Sequence, residues 1–146
     1  MQVLLLITQV ASTWFMVGLI WFVQVVHYPL YDRVGASGFV VYERDHCALT
    51  TLVVAPAMVV ELFSAALLVV ARPKAVGLTE TLVGLGLALA IWLLTLFIAD
   101  NYHGALSTGF SVAPYKALIF ANGLRTALWT IRGLVVSYMC WKTMQS

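Results

Sequence analysis

The chain has 146 residues, 62% of them hydrophobic and 10% charged, with a net charge of +2 and a mean hydropathy of +0.97. Soluble domains carry about a quarter charged residues, so this composition excludes an ordinary soluble protein and predicts an all-α integral membrane protein. With so small a positive excess and no basic run, nucleic acid is excluded as a partner.

The length allows a single domain, residues 1–146, and four apolar runs fit inside it, each near the ~20 residues needed to cross a bilayer. The first spans about 3–26. It has no basic leader, exceeds the ~7–15 residues of a signal-peptide core, and carries Trp14, Trp21 and Gln24, so it reads as a retained transmembrane helix. The loop after it, His27 to Cys47, contains the apolar aromatic stretch Gly38-Phe39-Val40-Val41-Tyr42, which predicts a short interfacial helix leading into Glu43-Arg44-Asp45-His46.

The second span covers about 48–71. His46, Thr50, Val54, Ala57, Glu61 and Ser64 step along it by three or four, a stripe that is polar at both ends, and Pro56 predicts a kink. After a link of about six residues, the third span covers about 81–99, and Gly84-Leu85-Gly86 suits close helix packing. The loop from Asp100 to Lys116 opens with Asp100-Asn101-Tyr102-His103. The fourth span covers about 117–141, where Asn122, Arg125, Trp129 and Arg132 form a polar seam on one face.

An even number of spans puts both termini on one side. The termini side holds Arg72, Lys74 and Lys142, and the other holds Arg33, Arg44 and Lys116, so the positive-inside rule comes close to a tie, resolved here toward cytoplasmic termini in a bacterial inner membrane. Cys47 and Cys140 fall at opposite ends of their spans, too far apart for a disulfide.

Charged groups at bilayer depth cost roughly 2.5–3.5 kcal/mol each, so Glu61, Arg125 and Arg132 are expected to face inward and to function. At 1.5 Å per residue Glu61 and Arg132 lie about 16 and 14 Å from the termini-side ends of their helices, and Arg125 about 24 Å. Glu61 and Arg132 therefore pair, either as a fastening between helices or with Glu61 acting in catalysis. Arg125 is left to hold an anionic ligand, a heme propionate or a carboxylate of the site.

His27, His46 and His103 all fall at helix ends on the side of the long loops, together with Glu43 and Asp100. Glu-x-x-His puts two ligands on one helix face, and two such motifs build di-metal carboxylate sites in helical bundles. The predicted ligands are His27, Glu43, His46, Asp100 and His103. This donor set takes iron first, with copper, manganese or zinc as alternatives. Heme b is the other option, with Arg125, Arg132 or Tyr102 near it. The competing reading is that histidines and acids collect at helix ends because headgroup-level positions tolerate polarity. No nucleophile elbow, Walker loop or dinucleotide fingerprint is present.

The segments Gln24 to Gly35, Glu43 to His46, "APAMVVELFSA" and Asn122 to Gly133 resemble the pattern of a group of small, uncharacterised bacterial four-helix integral membrane proteins. That resemblance covers most of the chain and implies no activity. The Asn122-Gly-Leu-Arg125-Thr segment is similar to the anthrone-oxygenase-like membrane family, which would imply oxidation of an aromatic, lipid-soluble substrate with Asn122 and Arg125 as the matching positions. The resulting expectation is a metal-dependent membrane oxidoreductase acting on a lipophilic small molecule such as a quinone or aromatic, with Glu61, Arg125 and Asn122 as catalytic candidates. The contrasting expectation is a non-enzymatic transmembrane subunit that stabilises a homo-oligomer or larger membrane complex.

Overall fold

The computed structural model describes residues 1–146, apart from the Asp100 side chain. Four long helices form a bundle: α1 (Gln2–Phe22), α2 (Ala36–Val70), α3 (Leu78–Ile98) and α4 (Val112–Met144). Strands are absent among the described residues. Three stretches, Gln2–Arg33, Ala36–Val70 and Leu78–Leu106, are long and apolar enough to cross a membrane. α4 has similar length, and its polar seam is turned inward, with Asn122, Arg125 and Arg132 all buried. The outward faces instead carry Leu52, Phe63, Leu93, Phe120 and Leu134, all exposed, as lipid-facing surfaces require.

The bundle is layered along its axis. Leu6, Leu68, Val136 and Met139 pack at the termini end. Met16, Val17, Ile20, Met58, Ile91 and Trp129 pack at the centre. Tyr28, Tyr31, Phe39, Ile98, Leu106 and Leu118 pack at the loop end. Polar layers separate these apolar ones, Glu61 with Arg132 on one side of the central layer and Asn122 with Arg125 on the other. α1 and α4 approach closely at Gly133, where a Cβ would stand 3.3 Å from Val17 Cγ2 and 3.4 Å from Trp14. Two indole N–H groups stitch the same interface, Trp14 donating to Ser137 Oγ at 2.9 Å and Trp21 to Thr130 Oγ1 at 3.1 Å.

Both long loops, at the end of the bundle away from the termini, begin with a change of helical pitch. α1 passes into a π-helical turn, Val23–His27, and then a 3-10 turn, Tyr28–Arg33. α3 passes into a second π-helical turn, Ala99–His103, and then one α-turn, Gly104–Leu106. Each π-turn ends on a histidine. The short helix between the first two spans is the 3-10 turn, whereas Gly38–Tyr42 is continuous with α2. At 35 residues and 1.5 Å per residue, α2 is about 52 Å long and overshoots the ~30 Å hydrocarbon core by several turns. α2 also runs unbroken through Pro56.

Gly35 makes the entry to α2, at φ 82° and ψ 146°. This region is nearly closed to residues with a Cβ. Gly35→Ala is expected to cost about 1–3 kcal/mol, read as a lower unfolding midpoint in detergent, even though no atom lies within 4 Å of the added methyl.

Candidate metal centre and its cavity

The pitch changes aim the histidines. A π-turn carries more residues per turn than an α-helix and so rotates the side chains at its end relative to a regular helix. His27 and His103 thereby meet the inner face of the overshooting part of α2, where Glu43 and His46 lie one turn apart. The three imidazoles form a row. His27 and His46 stack with ring centroids 4.6 Å apart, and His46 and His103 with centroids 5.5 Å apart.

Their nitrogens are held at close range. His27 Nε2 stands 2.7 Å from His46 Nδ1, and the Thr50 hydroxyl is 3.1 Å from the same Nδ1. His103 Nδ1 stands 2.6 Å from Glu43 Oε1. Its other nitrogen, Nε2, is 3.1 Å from the Tyr28 hydroxyl. The Glu43 carboxylate is fully buried, at 0% exposure. Its Oε1 also accepts a long contact from Cys47 Sγ at 3.7 Å. Tyr31 packs against the cluster, its ring edge-on to His27 and His46 at 5.5 Å each.

The Tyr31 hydroxyl and Glu43 Oε2 are both buried and make no well-formed hydrogen bond, although the phenol and the carboxylate lie side by side as donor and acceptor. Buried carboxylate oxygens are normally satisfied. Here the His103 ring is bonded to Oε1 and the Tyr31 phenol stands beside the carboxylate, so the carboxylate has neighbouring donors within the protein. Glu43, Cys47 and His103 are the one group of three among the described residues whose possible donor atoms all lie within 4.8 Å of one another, and the His27–His46 pair stands beside it.

Glu43 and His46 do share one face of α2, but Glu43 reaches His103 on the extension of α3 and His46 reaches His27 on the extension of α1, so the motif links three helices. Asp100, the acid of the second motif, lies outside the described residues. Tyr102 packs edge-on against Phe97, with centroids 5.6 Å apart, rather than on the histidine cluster.

Beneath the cluster a cavity of about 500 Å³ runs between α2 and α3. His46, His103, Cys47 and Thr50 line its head, Val54, Met58, Trp92 and Leu96 its apolar walls, and Asn122 and Arg125 its inner side. Thr51 and Leu96, both exposed, border it on the lipid side. Asn122 donates to Gln24 Oε1 at 2.8 Å, which fixes its amide. Arg125 donates to Asn122 Oδ1 at a long 3.4 Å and lies over the Trp129 ring, 5.1 Å from its centroid.

Glu61 and Arg132 belong to a separate site nearer the termini. Arg132 Nε donates to Glu61 Oε1 at 2.7 Å, and both side chains are almost fully buried. Glu61 also accepts from Thr13 Oγ1 at 2.9 Å and Trp129 Nε1 at 3.0 Å, while Arg132 Nη1 donates to the Gly84 carbonyl. Thr13 is in turn bonded by Gln9, whose Oε1 accepts from Ser64. All four helices meet at this pair. The Glu61 carboxylate is saturated from within the protein, so the geometry is that of a fastening.

The participants missed by sequence reasoning are Tyr28, Tyr31 and Cys47 in the cluster, and Gln9 and Thr13 around Glu61. A polar residue within an otherwise apolar span was the available signal for Gln9 and Thr13. Comparison with family models, curated proteins and solved structures finds no match to this chain.

Proposed function

We propose that this chain is a membrane-embedded, metal-dependent oxidoreductase whose lipophilic substrate enters its cavity from the bilayer between α2 and α3. The observation that carries this reading is the meeting of three imidazoles and a buried carboxylate, with His46 and His103 at the head of an apolar cavity of about 500 Å³. His27, His46, His103 and Glu43 would hold the metal, with Cys47 beside them. Imidazole and carboxylate donors suit iron, copper, manganese or zinc, and of these iron and copper supply one-electron chemistry.

The part played by the protein itself is set by where its groups lie. Tyr31 and Phe39, both buried, pack beside the cluster away from the cavity lining, and the Tyr28 hydroxyl holds His103 by Nε2. Glu43, bonded to His103 Nδ1, fixes that ring and can carry a proton away from it. The 2.7 Å between His27 Nε2 and His46 Nδ1 is a hydrogen bond, which a shared ion with metal–nitrogen distances of about 2.0–2.1 Å would have to replace by spreading the two rings. An aromatic or quinone-like substrate matches the cavity walls, and Asn122 and Arg125 are also the two positions that carry the resemblance to the anthrone-oxygenase-like family.

The competing reading is a metal-free subunit, in which His27–His46 and His103–Glu43 are hydrogen-bonded pairs and nothing more. Elemental analysis separates the two. Protein purified in detergent from metal-supplemented cells is expected to carry near-stoichiometric transition metal, and His46→Ala and Glu43→Gln to lose most of it. Wild-type protein without bound metal would rule out the metal centre and leave the subunit reading.

A further inference from the structure

Arg125 is the one arginine among the described residues that is deeply buried with no acidic partner. Its side chain is 7% exposed. Its Nε has no hydrogen-bond partner, and the only polar contact of its Nη1 is the 3.4 Å bond to Asn122. The two buried carboxylates among the described residues are already engaged, Glu61 with Arg132 and Glu43 with His103. A guanidinium stays charged at any accessible pH. The bundle therefore buries one uncompensated positive charge, on the wall of its large cavity.

A buried charge of this kind is stabilised by an anion brought in from outside. The geometry points to a lipophilic monoacid as the ligand of this cavity, one carboxylate bound by Arg125 and Asn122 and an apolar body lying along Val54, Met58, Trp92 and Leu96. A planar guanidinium matches a carboxylate bidentately. The cavity volume, about 500 Å³, is in the range of ~300–1,000 Å³ that encloses a small-molecule ligand. Arg125 stands well inside α4, which starts at Val112, about 20 Å from the helix start at 1.5 Å per residue. A cavity of about 500 Å³ suits a single-chain acid better than a two-chain phospholipid.

The inference narrows the lipophilic substrate of the proposed function to one that carries an acid group, in place of a neutral quinone, and rests on that reading only for the cavity being a substrate site. Its test uses metal-stripped protein, so that a missing metal centre and a missing acid site give different results. Oleate is the probe, measured by equilibrium binding of the radiolabelled acid to the full chain in detergent, with methyl oleate and phosphatidic acid as competitors. Wild-type protein is expected to bind oleate saturably, methyl oleate to compete at least tenfold more weakly, and Arg125→Gln to bind oleate at least tenfold more weakly than wild type. Arg125→Lys, which keeps the charge and loses the fork, is expected to fall between them.

Equal competition by oleate and its methyl ester in wild-type protein would overturn the inference without any variant. Phosphatidic acid displacing oleate at lower concentration than oleate itself would also overturn it, in favour of a lipid phosphate. Retained oleate binding by Arg125→Gln would show that the acid group is held elsewhere.

Discussion

Glu61→Leu is expected to lower the free energy of unfolding by about 3–5 kcal/mol, the usual cost of stripping one partner from a buried ion pair. The variant leaves the Arg132 guanidinium, fully buried at 0% exposure, facing Thr13, Trp129 and leucine. Arg132→Leu is expected to be as damaging for the mirror-image reason. The double variant Glu61→Leu with Arg132→Met should recover most of the loss, because it removes both charges together. Recovery will be incomplete, since the Trp129 and Thr13 donors and the Gly84 carbonyl also lose their partner. Reversible unfolding in mixed detergent micelles, followed by tryptophan fluorescence, gives the cycle. A single variant within about 1 kcal/mol of wild type, well short of that cost, would show that the pair is not the fastening its geometry describes. Arg125→Met provides the contrast in the same helix. It deletes a charge that no described acid balances, so it should leave the ligand-free protein as stable as wild type or more so.

These two arginines also show what the sequence could and could not disclose. Helical spacing and a rise of 1.5 Å per residue are enough to match Glu61 with Arg132 and to leave Arg125 over, because both sit in regular helices where depth is a simple count. The same counting fails at the histidines. His27 and His103 lie just past the ends of regular α-helix, in π-turns, and a π-turn changes the rotation per residue without a clear mark in composition. The motif Glu43-x-x-His46 correctly put two side chains on one face of α2, yet it did not disclose that they reach different helices. Tyr31 was hidden for another reason. In an interfacial loop an aromatic residue is expected at the headgroups, and here the 3-10 turn carries its ring fully inside. Cys47 was set aside as a poor disulfide candidate, which is sound, but that argument says nothing of a single sulfur beside a carboxylate.

Removing metal is expected to lower the unfolding midpoint of the wild-type protein and to leave that of His46→Ala unchanged. A ligand that binds only the folded state stabilises it by about 2.7 kcal/mol at a free concentration a hundred times its dissociation constant, and a strong chelator withdraws that amount. The cluster is placed to transmit the effect widely, because His27, His46 with Glu43, and His103 tie the ends of α1, α2 and α3 at one point. Were the cluster only hydrogen-bonded, a chelator would change nothing, and His46→Ala would cost just the His27 and Thr50 contacts, about 1–3 kcal/mol if a buried nitrogen is left unpaired. The two readings thus differ in the pattern of response as well as its size: a metal centre makes wild-type stability depend on the chelator and abolishes that dependence in His46→Ala, while a hydrogen-bonded cluster makes the two proteins differ by the same amount with chelator or without it.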